Sequence, residues 1–87
     1  MSAAPSEDDL ALLCAVLEKA GVEIRGADVA GEGGLVRIND HMIVFVPRRS
    51  SAAHRQKLYI DSIRKLAESL GHIPPRVRQL LGEEDWK

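Results

Sequence analysis

Residues 42–46 read MIVFV, five apolar side chains in a row, with proline next at 47. A strand with one face in water alternates apolar and polar residues. An unbroken apolar run belongs to a strand with neighbours on both sides and cover on its faces. Pro47 stops the run, because proline has no N–H to give to a sheet ladder. The segment therefore predicts a central strand, packed under helices on one face and open to a partner on the other.

Its neighbours follow from the adjoining sequence. LVRI at 35–38 reads as a second strand, joined to it by Asn39, Asp40 and His41, where Asn and Asp tolerate the left-handed backbone of a hairpin turn. VEIR at 22–25 alternates and reads as a third, short, half-buried strand. Between them lies GADVAGEGG. A phosphate-binding loop needs Lys-Ser or Lys-Thr directly after its last glycine and a helix starting there. Here Gly33 and Gly34 lead into a strand, and Glu32 would repel a phosphate, so the segment reads as a turn joining two strands.

Helices flank this block. Ser6 followed by Glu7, Asp8 and Asp9 is a cap with acids at the positive end of a helix. Leu10, Leu13, Val16, Leu17 and Ala20 then form a stripe at three- and four-residue spacing, and Gly21 ends it. Ser50 and Ser51 are candidate caps for a second helix reaching about residue 70. Its stripe is Tyr59, Ile60, Ile63, Leu66, Ala67 and Leu70, with Gly71 as a left-handed cap. Pro75 starts a last short helix with Val77, Leu80 and Leu81 on its apolar side.

The expected class is α+β: a small two- to three-stranded antiparallel sheet packed against helices, in the order α-β-β-β-α-α. One domain is expected over residues 6–82, after a disordered stretch at 1–5 and before an acidic tail at 83–87. With 87 residues, a core built from Leu, Ile, Val and Ala buries only about 60–65% of the unfolded chain's surface, so a partner covering an apolar face would help.

Charge is divided along the chain. Residues 1–40 carry three basic side chains against eight acidic ones, and residues 41–82 carry eight basic against two acidic. Such a division suits an anion-binding face, or two halves that attract each other within one chain or across a dimer. Arg48, Arg49, Arg55 and Lys57 cluster in sequence around the start of the second helix. They form a candidate anion patch, since a helix N-terminus also favours anions. No aromatics interleave with these cations to stack bases, which makes nucleic acid the less favoured partner.

Cys14 is the single cysteine and sits in an apolar helix, so neither an internal disulfide nor a multi-thiolate metal site is expected. His54 and His72 stand 18 residues apart. Along a helix that is roughly 27 Å, too far to share an ion. No apolar run approaches the ~20 residues of a membrane span. The acidic MSAAPSEDD start lacks an export pattern, which predicts a cytoplasmic location.

The VFVP strand end, the serines after it and the HRQK helix opening together resemble the minimal zincin-type metallopeptidase domain. That resemblance implies a zinc helix carrying two histidines and a glutamate. The matching positions here are Ser62, Ile63 and Leu66, which cannot supply that chemistry. What it implies is therefore a degenerate, non-catalytic relative with no cofactor. GGLVRI, the VFV strand, the basic amphipathic helix and the proline-bounded last helix also resemble a group of short bacterial proteins of unassigned function. The resulting expectation is a non-enzymatic interaction module, homodimeric or bound to another protein, with phosphate or nucleic-acid backbone binding as the alternative.

Overall fold

The computed structural model describes residues 6–28, 31 and 33–83; the expectations for residues 1–5 and for the tail beyond Glu83 lie outside that range. Helix α1 runs Glu7–Lys19, strand β1 Val22–Ala27, β2 Gly34–Ile38, β3 His41–Pro47, helix α2 Ala52–Lys65 and helix α3 Pro75–Glu83. The α-β-β-β-α-α order matches the reading from sequence.

The sheet does not. Its order is β1-β3-β2, with β2 antiparallel to β3 but β1 parallel to it, so the sheet is mixed rather than purely antiparallel. The apolar strand β3 does take the centre. Each of its flanks is then paired, while the more polar β1 and β2 form the edges. β1 ends and β2 begins near the Pro47 end of β3, on opposite sides of it, so the two do not form a hairpin. Arg48 N–H donates to Ala27 O at 3.1 Å there. Gly33, at φ +79, lies so close to Pro47 that a Cβ would sit 2.8 Å from its Cδ.

Local chemistry explains the remaining boundaries. Ser6 Oγ accepts from Asp9 N–H at 3.0 Å and caps α1, and Gly21 leaves it at φ +88. Asn39 and Asp40 both have positive φ (49 and 68), a two-residue turn of the hairpin type. Ser51 caps α2 by accepting from His54 N–H at 3.1 Å. Ser50 instead donates its hydroxyl to Pro47 O at 2.7 Å and closes the preceding turn. Helix α2 stops earlier than its apolar stripe suggests. At Leu66 it tightens into a 3-10 turn, Ala67–Ser69, and Leu70 is already extended. Gly71 is accordingly not left-handed, because the turn before it has absorbed the helix end.

The core is a single cluster. Leu13 and Leu17 from α1, Ile60 and Ile63 from α2, Val44 from β3 and Val77 from α3 are fully enclosed in it. Helices α1 and α2 pack on the sheet and on each other, and α3 packs on the two helices. Arg64 Nη2 donates to Leu81 O at 3.0 Å, fastening α3 to α2. Among the described residues no helix is long and apolar enough to cross a membrane.

Candidate interaction surface

The four cations read from sequence are distributed as follows. Arg48 and Arg49 lie exposed in the turn after β3, and Arg48 Nε is 3.3 Å from Asp28 Oδ1. Arg55 and Lys57 are two residues apart on α2, hence about 200° apart around it. Lys57 is exposed, while Arg55 is half-buried on the side of Cys14, Tyr59 and Glu18, with its Nε enclosed and without a hydrogen-bond partner. The turn therefore brings Arg48 and Arg49 together, and the helix sends Arg55 and Lys57 in different directions.

Cys14 and Tyr59 meet between α1 and α2. Burial pushes the Cys14 thiol up, which keeps it protonated and unreactive. Burial, with the contact to Cys14 adding to it, pushes the Tyr59 hydroxyl up to about 12. Ser62, Ile63 and Leu66 are all buried in the core, and the Ser62 hydroxyl (2% exposed) donates to Leu58 O at 2.8 Å. Among the described residues no three His, Cys, Asp or Glu side chains are grouped to hold a metal.

The register of the sheet shows a different feature. Directly opposed residues share a face. Val22, Ile24, Leu35, Met42, Val44 and Val46 all belong to or pack against the helix-covered core. Their alternates face away from the helices: Ile43 opposes Glu23 on one side and Val36 on the other, Phe45 opposes Arg25 and Gly34, and His41 opposes Ile38. Ile43 is buried yet stands outside the core cluster, and Phe45 is half-buried.

The two edges of this outer face differ. On β1 it carries the Glu23–Arg25 ion pair. On β2 it carries Val36 at 39% and Ile38 at 49% exposure, the only large apolar side chains exposed among the described residues. Both lie on an edge strand whose outer N–H and C=O groups have no neighbouring strand among the described residues. Sequence reading found the central strand but not this pair. The signal was present in LVRI, where Val36 and Ile38 fall on the face opposite Leu35.

Comparison with protein-family models, with curated proteins and with solved structures gives no match to this chain. The geometry alone carries the functional reading.

Proposed function

We propose that this chain is a small non-catalytic interaction module that works by self-association through the β2 edge and the sheet face beside it. The observation that carries the reading is the exposure of Val36 and Ile38 together on a strand whose outer edge has no neighbour among the described residues. Edge strands are ordinarily protected by charge, proline or a bulge, because their free backbone groups template a further strand. Strand β2 has only Arg37 for protection.

A second copy fits this edge. Two β2 strands paired antiparallel about a twofold axis, Val36 opposite its own copy, place Arg37 against Leu35 and Ile38 against Gly34. That register keeps the two Arg37 side chains from facing each other, which like charges would disfavour. A five-residue edge is about 17 Å long and buries less than the ~800 Å² per partner of a standard interface, so the association is weak and concentration-dependent.

The anion-binding alternative has less behind it, since Arg48 is engaged by Asp28 and Arg55 faces α1. Sedimentation velocity across a concentration series tests the main reading. The wild-type chain is expected to shift toward dimer as concentration rises, and Val36→Lys and Ile38→Lys to remain monomeric with unchanged circular dichroism. A wild-type chain that stays monomeric throughout, or lysine variants that dimerise equally well, would refute it.

A further inference from the structure

A second feature lies between α1 and the chain that follows the 3-10 turn, and it does not depend on self-association. Residues 10–17 of α1 read LALLCAVL, apolar nearly all the way around the helix. A helix of that kind belongs in a fully covered position. The core takes Leu10, Leu13 and Leu17, while Leu12 is only half-buried and Ala15 is exposed.

The early end of α2 gives this second side of α1 a wall. Past the 3-10 turn the chain runs extended through Leu70 toward Pro74 and lies beside α1. Between them is an open cavity of about 420 Å³, floored by Val16 and walled by Leu12, Leu70 and Pro74. That volume falls in the range of small-molecule sites, roughly 300–1,000 Å³.

The polar part of the lining is one-sided. It consists of Lys19, Ser69 and His72, and none of the lining residues is acidic. Lys19 and His72 have no ion-pair partner among the described residues. Gly71 and His72 are lining residues, and their amides donate to no acceptor among the described residues. At the end of α1, Ala20 N–H bonds to Val16 and Leu17 O and Gly21 N–H bonds to Glu18 O, while the Lys19 and Ala20 carbonyls accept no bond from the described residues. The apolar trough is thus flanked by one ammonium, the Gly71 and His72 segment with its unused amides, and the last carbonyls of α1.

The geometry points to a binding site for a small amphiphilic carboxylate, its acid group held by Lys19 with the Gly71 and His72 amides and its apolar body lying along Leu12 and Val16. A neutral molecule of the same shape would fill the trough but leave the cation and donors without a partner. Charge-assisted hydrogen bonds contribute enough to separate the two by about tenfold or more.

The test is a nitrogen-15 NMR titration of the full chain with sodium decanoate below its aggregation threshold, repeated with decanol. Saturable shifts are expected at the amides of Leu12, Ala15, Gly71 and His72, with decanol weaker by at least about tenfold. Lys19→Glu is expected to weaken decanoate by a similar factor and leave decanol unchanged. Ala15→Trp, which fills the trough from an exposed position, is expected to abolish binding of both. Unchanged spectra for the rest of the domain verify that each variant is folded. Val36→Lys is expected to bind decanoate like the wild type, separating this site from the sheet face. Absence of saturable shifts, shifts centred on Val36 and Ile38, equal affinity for decanol, or a Lys19→Glu variant that binds as well as the wild type would each overturn the assignment.

Discussion

Gly33 passes directly over the carbonyl of Phe45, closer than any side chain at that position could allow. The contact lies at the start of β2, where Gly34 pairs with Phe45, at the same end of β3 at which Ala27 of β1 pairs with Pro47. Gly33 also has φ +79, a conformation that costs an L-residue about 1–2 kcal/mol by itself. Replacing it with alanine adds a clash with backbone and with the rigid Pro47 ring, neither of which can swing away. Gly33→Ala is expected to destabilise the domain by about 2–4 kcal/mol, measured by urea unfolding. Gly31→Ala is the control: it shares a positive φ (+93) but has open space around its Cβ, and is expected to lose only about 1 kcal/mol.

Asp9 and Arg76 join the first helix to the last through a two-pronged pair, Nε to Oδ1 at 3.0 Å and Nη2 to Oδ2 at 2.8 Å. The Arg76 guanidinium holds the Asp9 carboxyl below its ordinary value, and the bond to Ser6 lowers it further. A carboxyl lowered by folding contributes stability that is complete above its unfolded value, near about 3.9, and is lost as pH falls through the folded value. The wild-type melting temperature is therefore expected to fall more steeply with acid than that of Asp9→Asn, with the difference confined to pH below about 4. Parallel melting curves for the two proteins across that range would show that the pair contributes nothing.

The same ion pair shows what the charge division along the sequence could and could not convey. Acidic early residues and basic later ones do attract each other, and at Asp9–Arg76 and Asp28–Arg48 they do so within one chain. Helix starts, both serine caps, the left-handed Asn39-Asp40 turn and the central place of β3 were legible from local sequence. The parallel pairing of β1 was not. Alternation in VEIR states which side chains face inward, and that pattern is the same for either strand direction. Direction is a matter of which distant residues pair, Val22 with Met42 through Ala27 with Pro47, and only the folded chain brings these together. The early end of α2 was hidden for a related reason: Leu66 and Leu70 continue the stripe in sequence, but a 3-10 turn also carries Leu70 onto the core. Arg55 and Lys57 illustrate the opposite case, since helical periodicity already separates them.

Tyr59 offers a direct spectroscopic check on the α1–α2 packing, because it is the chain's only tyrosine. Its hydroxyl is pushed up to about 12, chiefly by burial, against about 10 for a free tyrosine. The folded state thus prefers the neutral phenol. Its contribution is complete below about pH 10 and declines as pH rises toward about 12. A titration followed by ultraviolet absorbance is expected to show no tyrosinate at pH 10 in the folded protein and normal ionisation in urea. Ionisation near 10 without denaturant would mean that α1 and α2 do not enclose the ring.

The final expectation separates two ways in which copies of this chain could meet. If the acidic start of α1 in one copy approached the basic surface of α2 in another, the attraction would be Coulombic. Raising salt from about 0.1 M to about 1 M shortens the screening length from about 10 Å to about 3 Å and would dissolve such a dimer. The β2 edge offers Val36 and Ile38 instead, and Asp9 in the first turn of α1 is already matched within the chain by Arg76. Self-association is therefore expected to survive added sodium chloride unchanged, and to strengthen in sodium sulfate, which favours apolar burial. Light scattering at matched protein concentration reads this directly. A dimer lost in sodium chloride would move the interface away from the sheet to the charged helix surfaces.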